Sequence, residues 1–320
     1  FDIAMGIIEP PRERTMVNVI EEIICDREQG RELTKQGKVF SRGSTKNYRQ
    51  TLVKLEEYQE SHKTTLYFET FTMDTANHLI SYLNVKHQMS LSTLGRTIKE
   101  LKTFFNVAKG KGFENLTMAK VPNVKEDAFD IYLTEEKILK IYRVETTEAK
   151  EKVKEWFVID CFTGLRISDL TTLTKDMIHK DVIKLSNEKT GAKVVIPLHW
   201  TVKEILKKYK GHFPPVISDQ KMNDYIKEIA EDAGLKEKQF YTMTIGGKTM
   251  DFKPYEYEMI SNHTARRSFI TNLLKAGFSE SEVMKLAGIK DPKTLQKYNK
   301  VTHEEVAAKV ATSPYFTKPS

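Results

Sequence analysis

Four short motifs in the second half of the chain hold the side chains most able to carry out chemistry. In chain order they are residues 163–169 (TGLRISD), 188–191 (EKTG), 263–267 (HTARR) and Tyr298. Each motif is weak by itself, because helix-surface pairs, solvated lysines and packed tyrosines are common, and a buried Arg166 is most often a structural ion-pair partner. Their order and combination are what indicate a shared site.

Phosphoryl transfer without a metal is the chemistry that these side chains suit. The planar, permanently charged forks of Arg166 and Arg266 can hold the non-bridging oxygens of a phosphate. Tyr298 can attack phosphorus and conserve the bond energy in a phosphoester, and a protonated Lys189 can protonate the leaving oxygen. His263 lies three residues before Arg266 on one helix face, so both can reach the same phosphate. No carboxylate cluster suited to two Mg²⁺ ions is present in the sequence, and we predict neither a metal nor a cofactor.

The bulk composition is compatible with a polyanionic partner. Among 320 residues, 51 Lys and Arg stand against 44 Asp and Glu, which leaves a net charge of +7 and a pI near 9.0. Basic side chains that neutralise phosphates release condensed counterions, although a merely solvated basic surface is about as common. No apolar run suits a membrane span and no secretory signal opens the chain, so we expect a cytoplasmic protein. Binding to DNA would make it nucleoid-associated. Cys161, in an apolar run, is expected to be a buried, reduced thiol.

Helices dominate the prediction for the first half of the chain. The clearest helix has apolar residues alternately four and three apart: Leu94, Ile98, Leu101, Phe105 and Ala108. A basic face beside this stripe has the electrostatic footprint of a helix lying on DNA phosphates, and its members are Arg96, Lys99, Lys102 and Lys109. An earlier helix is predicted to begin with Ser44 or Thr45 as its capping residue.

The second half is predicted to be mixed, with helices around two hairpins. Residues 182–186 and 193–197 are β-prone runs on either side of a turn that contains Gly191, and a weaker hairpin surrounds Gly246 and Gly247. Several helix starts carry capping signals. These are Thr134, Ser279 with Glu282, Asp291 before Pro292 on the short helix to Tyr298, and Thr302 with Glu305.

These elements suggest a division of the chain into two domains. Residues 1–15 are interpreted as an extension or a cloning remnant, with Met16 as an alternative start. The remaining segments are a helical domain at 16–112, a linker at 113–132, a second domain at 133–312 that carries the four motifs and a C-terminal helix, and a tail at 313–320.

The strings TGLRISDL, EKTG, VVIPL and HTARRSF, followed by a tyrosine, resemble the tyrosine recombinase (phage integrase) family, and within it integrases of Bacteroides-type mobile elements. The resemblance covers roughly residues 17–312. It implies a mainly α protein with a small β-sheet: a helical core-binding domain followed by a mixed α/β tyrosine-recombinase catalytic domain. The implied activity is site-specific recombination or integration of DNA through a 3′-phosphotyrosyl intermediate.

The same resemblance implies a role for each motif residue. Arg166 and Arg266 would clamp the scissile phosphate, and Lys189 would be the general acid. His263 would hydrogen-bond the phosphate or take the proton of the nucleophile, and Tyr298 would attack to leave a free 5′-hydroxyl. Asp169 would support Arg166 from behind.

The partners implied are double-stranded DNA with specific recombination sites, further copies of the chain in a tetramer on DNA, and accessory DNA-bending or excision factors, with no membrane. The family often passes its final helix to a neighbouring copy, and the helix after Thr302 would do so here.

One position departs from the family pattern. The family usually has His or Trp nine residues before the nucleophile, where this chain has Ile289. Isoleucine can pack behind Tyr298 but cannot donate a hydrogen bond, and losing one such donor typically slows a reaction on the order of 10²–10³-fold. We therefore expect a slower or more tightly controlled enzyme. Two alternatives stay open: a type IB topoisomerase-like enzyme that relaxes DNA as a monomer, and a non-catalytic DNA-binding derivative.

Overall fold

The computed structural model describes residues 14–115, 117–186, 191–311 and 316. In this part of the chain the helices are α1 (Met16–Glu28), α2 (Arg42–His62), α3 (Met73–Lys86), α4 (Leu91–Gly110), α5 (Thr117–Lys120), α6 (Glu135–Arg143), α7 (Glu148–Thr163), α8 (Ile167–Leu170), α9 (Trp200–Lys208), α10 (Asp219–Asp232), α11 (Asn262–Lys275), α12 (Glu280–Ala287), α13 (Pro292–Tyr298) and α14 (His303–Ala311). The strands are β1 (Ile178–His179), β2 (Val182–Ser186), β3 (Lys193–Pro197), β4 (Tyr241–Ile245) and β5 (Lys248–Phe252). Short 3-10 turns occupy Lys175–Met177 and Glu256–Met259.

The chain forms two compact units. The first runs to Ala128 and also includes Tyr241–Phe252, and the second comprises Phe129–Phe240 and the residues from Lys253 onward. The mainly helical composition with two small sheets agrees with the fold class predicted from the sequence.

The core of the first unit is built by α1 to α5. The predicted apolar stripe of α4 is confirmed, because all five of its residues are buried in this core. The predicted start of α2 was wrong: the helix begins at Arg42, and its cap is Ser41, whose Oγ accepts a hydrogen bond from Ser44 N at 3.3 Å. Ser44 is therefore the third residue of the helix, where its backbone N–H needs a partner outside the helical pattern.

The hairpin of β4 and β5 forms as predicted around Gly246 and Gly247, but it packs with the first unit. The carboxylate of Glu126 accepts hydrogen bonds from Thr244, at 3.0 Å from its backbone N and 2.8 Å from its Oγ1. Gly246 N also donates to Met89 O at 3.0 Å. The sequence-based division placed these residues in the catalytic domain, because nothing local to a hairpin reveals a partner more than a hundred residues away.

Residues 113–128, interpreted as linker from the sequence, also contribute to the first unit. Phe113, Met118 and Val121 are buried in its core. The division between the two units falls after Ala128, inside the segment 113–132. A segment with one short helix, α5, and no sustained hydrophobic periodicity can therefore be part of a core.

Helix α7 is the centre of the second unit. Its run from Val153 to Cys161 is buried on every side, and α6, α9, α10 and α11 pack around it. Strands β1, β2 and β3 form an antiparallel sheet, with Ile183 opposite Ile196 on its buried face. The predicted hairpin strands are thus confirmed, while the connecting residues 187–190 lie outside the described part of the chain.

The predicted capping signals of the second unit are confirmed. Thr134 Oγ1 accepts from Lys137 N, and Asp291 Oδ1 accepts from Lys293 N at 3.0 Å. Reciprocal capping bonds occur between Ser279 and Glu282 and between Thr302 and Glu305. Such bonds satisfy backbone N–H groups that the first helical turn leaves free.

In the described residues no helix combines the length and the apolar character that crossing a membrane requires. The same residues contain no group of three or more His, Cys, Asp or Glu side chains placed to hold a metal ion.

Candidate active site

A cleft of about 480 Å³ in the second unit brings together four side chains that the sequence predicts as catalytic. Arg166, His263, Arg266 and Tyr298 all line it. The fifth, Lys189, lies outside the described residues. The four lining residues come from three separate motifs, so their convergence is a property of the folded chain.

Arg266 lies on the second turn of α11 and is the most deeply buried charge of the cleft. Only 1% of the residue is exposed. Its guanidinium donates from Nη2 to Ala287 O at 2.8 Å and from Nη1 to Gly164 O, whereas its Nε has no hydrogen-bond partner among the described residues. Burial lowers the pKa of Arg266, the like charge of Arg166 lowers it further, and Tyr298 and Asp160 oppose that shift. The group is held by two carbonyls and keeps one donor for an anion.

Gly164 ends α7 and turns the chain toward the cleft. Its φ is +62°, a left-handed conformation that favours glycine, and a Cβ at this position would overlap the ring of Phe269. The turn presents the Gly164 carbonyl to Arg266 and places Arg166 at the start of α8. Arg166 is half-buried, and its buried Nη1 has no protein partner in the described part of the chain.

Asp169 lies one turn beyond Arg166 and is almost fully buried. Its backbone N donates to Arg166 O at 2.8 Å, which closes the short helix α8 against the arginine. The backbone of Asp169 thus belongs to the same turn as Arg166, and the role of its carboxylate behind Arg166 stays a prediction.

Tyr298 is the last residue of α13, and its ring faces the side chains of His263 and Arg266 on α11. The His263 and Tyr298 ring centroids are 5.3 Å apart, and Cζ of Arg266 lies 5.7 Å from the centroid of the tyrosine ring. Thr271 Oγ1 donates to Tyr298 O at 2.8 Å, so α13 is fastened directly to α11. A phosphate in the cleft could therefore contact the phenol, the imidazole and the guanidinium together.

His263 is more exposed than the arginines, yet its surroundings alter its protonation. Burial of part of the ring lowers the pKa of His263, the nearby Arg267, Arg266 and Arg166 lower it further, and Asp130 opposes them. Because the ordinary value lies near 6.5, the imidazole is mostly neutral at pH 7 and can accept a proton.

Ile289 lies in the apolar core of the second unit, where it is buried, and it is absent from the residues that line the cleft. Its backbone N donates to Met284 O at 2.9 Å, which completes the turn after α12. The side chain packs in the cluster against which Tyr298 also rests. The Ile289 side chain contributes apolar packing and donates no hydrogen bond to the cleft.

Sequence reasoning missed two polar residues near the cleft. Asn223 of α10 lines it, and Asn223 Oδ1 accepts from Asn262 N at 2.9 Å, which ties α10 to the first turn of α11. Asp160 of α7 is 2% exposed, and burial raises its pKa well above the ordinary value, although Arg266 opposes this shift. An aspartate inside the apolar run WFVIDCF was the only signal for Asp160, and Asn223 had none.

The predicted basic face of α4 belongs to the first unit. Arg96, Lys99 and Lys109 are exposed, and Lys102 Nζ donates to Asn123 Oδ1 at 2.8 Å. Burial, and then the charge of Arg96, lower the pKa of Lys54 on α2, a neighbouring cation that the periodicity of α4 could not reveal.

Sequence profiles of two domain families match the chain. The Phage integrase family matches residues 132–305, and the Phage integrase SAM-like domain matches residues 24–121. The first match covers more than half of the chain and contains every residue of the cleft.

Individual relatives are more distant. The chain is 32% identical to the tyrosine recombinase XerD of Listeria monocytogenes over 144 residues, which is 44% of this chain and 47% of the relative. This match therefore spans about half the length of that relative. With the tyrosine recombinase XerD of Listeria innocua the identity is 24% over 273 residues, covering 83% of this chain and 90% of the relative.

Solved structures share the fold at low sequence identity. A XerH site-specific recombinase in a post-cleavage complex with a palindromic difH substrate superposes with a TM-score of 0.70 at 14% identity, over 95% of this chain and 98% of that one. A lambda integrase tetramer bound to a Holliday junction gives a TM-score of 0.64 at 17% identity, over 89% and 76%. Because the profile match extends over most of the second unit and includes both arginine motifs and the tyrosine, this chain belongs to the phage integrase family.

Proposed function

We propose that the protein is a site-specific DNA recombinase that cuts and rejoins DNA through a 3′-phosphotyrosyl intermediate without a metal. The observation that carries the proposal is the meeting of a tyrosine ring with two guanidinium groups, each of which keeps a buried N–H that has no partner among the described residues. Buried donors without partners are costly, and an anionic oxygen would satisfy both.

In the proposed cleavage step, Arg166 and Arg266 hold the non-bridging oxygens of the scissile phosphate. The Oη of Tyr298 forms a bond to phosphorus while the bond from phosphorus to the 5′ oxygen breaks. The phenolic proton passes to the neutral His263, and the 5′ oxygen is protonated by a general acid. Lys189 is assigned that last role from the sequence alone. Religation follows when a 5′-hydroxyl attacks the phosphotyrosine.

The partners follow from this activity. The basic face of α4 is proposed to lie on the phosphates of double-stranded DNA, and four copies of the chain would join two recombination sites. The lambda integrase tetramer and the XerH complex with DNA support this assembly by likeness of fold. Accessory DNA-bending or excision factors and nucleoid association when bound to DNA belong to the same proposal.

Covalent capture tests the proposal. A random-sequence pool of nicked duplexes, in which the cleaved fragment diffuses away, would be incubated with the protein and separated in SDS. We expect an adduct whose DNA converges on one site, and we expect Tyr298→Phe to form none while it still binds that site. The mutant loses only the attacking oxygen, so retained binding excludes misfolding as the cause.

The other functions predict other outcomes. A type IB topoisomerase-like enzyme would relax a supercoiled plasmid as a monomer and without a selected site. If the protein is a non-catalytic derivative, the wild-type chain would bind DNA but form no covalent adduct with it. Either result would overturn the proposed recombination.

A further inference from the structure

The second arginine of the HTARR motif, Arg267, lies beside the reacting groups without lining the cleft. Its side chain is 7% exposed, and its Nη2 is 2.9 Å from Oδ1 of Asp130, which is 36% exposed. Its Nη1 also donates to Ile131 O at 2.8 Å. The ion pair therefore joins α11 to the segment with which the second unit begins.

Further hydrogen bonds hold that segment, residues 130–133, against α11. Leu133 N donates to Ser268 Oγ at 2.8 Å, and Asn272 Nδ2 donates to Leu133 O at 3.0 Å. Helix α11 is also the element that carries His263 and Arg266. Its position in the unit is consequently set in part by the residues around Asp130.

The charges that face His263 come from three parts of the second unit. Among the described residues, Arg266 and Arg267 lie on α11, Arg166 lies after α7, and Asp130 lies on the segment just described. The ring of Tyr298 on α13 is tilted against the imidazole, with 5.3 Å between the two centroids. Arg267 has the largest effect of these charges in lowering the pKa of His263, and Asp130 alone of the four charges raises it.

We propose that the Asp130–Arg267 ion pair is a positioning unit for His263, holding α11 on residues 130–133 and balancing the charge around the imidazole. This inference rests on the proposed function, in which the phenolic O–H bond of Tyr298 breaks and an N–H bond forms on His263. Neither Asp130 nor Arg267 touches the cleft, so both would act through the histidine.

Removing the charge of Asp130 and removing that of Arg267 should shift the pKa of His263 in opposite directions. Asp130→Asn keeps an oxygen that can accept from Arg267 but removes the negative charge, so the pKa of His263 should fall. Arg267→Gln removes the positive charge and leaves Asp130, so that pKa should rise. Because the neutral imidazole is the active form, the acidic limb of the pH–rate profile should move to lower pH in the first variant and to higher pH in the second.

The first measurement is an NMR titration of the His263 ring in the free protein, with the resonance assigned by its loss in His263→Gln. We expect a displacement on the order of half a pH unit in each direction, at the low end for a neighbouring charge because Asp130 is partly exposed to screening water. Glu305→Gln is the matched control, because Glu305 pairs with Lys275 on the same helix at 2.6 Å and is not among the charges that act on His263. It should leave the titration unchanged.

The second measurement is the rate of adduct formation against pH with the captured nicked duplex. Opposite displacements that match the NMR titration support the proposal, since a purely structural role would slow both variants without opposite shifts. An unchanged titration in Asp130→Asn would overturn it. If Arg267→Gln does not fold, Asp130→Asn and the control decide alone. Failure of the wild-type chain to form any adduct would instead reject the proposed function, whereas the NMR result would still decide whether the pair controls the histidine.

Discussion

The two groups of basic side chains in this protein differ in what surrounds them. Arg266 in the cleft is almost wholly buried, is held by two backbone carbonyls and keeps one donor without a partner in the described residues. Lys99 on α4 is exposed to water, and Lys102 donates one hydrogen bond, to the amide oxygen of Asn123. A buried guanidinium that is fixed in place can stabilise charge that develops in a reaction, whereas a solvated lysine contributes mainly to non-specific attraction.

The strongest test of this difference between the two groups is a substitution that preserves the positive charge. Arg266→Lys retains the positive charge but cannot reach Gly164 O and Ala287 O together while presenting a third donor. We expect adduct formation to slow by about 10²–10³-fold. Lys99→Arg, the matching change on α4, should alter DNA affinity by less than about twofold. Equal effects at the two positions would remove the distinction between them.

A second prediction concerns the turn that supports the buried group. Gly164→Ala should lower the free energy of unfolding by about 3 kcal/mol, because the new Cβ meets both an unfavourable φ and the Phe269 ring. Gly234 has a similar positive φ of +78° but open space around it. Gly234→Ala should therefore cost about 1 kcal/mol, from backbone strain alone. Urea denaturation monitored by circular dichroism measures both, and similar losses would show that the Phe269 contact contributes little.

The smallest effect is expected on the exposed helix. Reversing both charges with Lys99→Glu and Lys102→Glu should weaken binding to every DNA sequence alike and reduce the slope of log affinity against log salt by about 2. The double change Lys35→Glu with Lys86→Glu, at two exposed positions outside α4, serves as the control for the same change in net charge. A loss confined to one DNA sequence would indicate that α4 reads bases, and no loss would mean that this face does not meet DNA.

The structure agrees with the sequence at most positions where the deciding interactions are local. The stripe of α4, the caps at Thr134 and Asp291, and the hairpin at Gly246 all involve residues a few positions apart, where periodicity and side-chain type are sufficient. The start of α2 shows the limit of this reasoning. Ser41, Ser44 and Thr45 are all good capping residues, and composition alone does not rank them.

For the candidate site, the sequence determined which residue types are available and in what order, because phosphoryl transfer without a metal requires cationic donors, a nucleophile and an acid whatever the fold. Only the tertiary structure decided that Arg266 is buried between Gly164 O and Ala287 O, that β4 and β5 pack near Glu126, and that Asp130 pairs with Arg267. These contacts join residues far apart in the chain. Their formation depends on which buried surfaces and unsatisfied polar groups meet when the two cores assemble, and no local pattern records that choice.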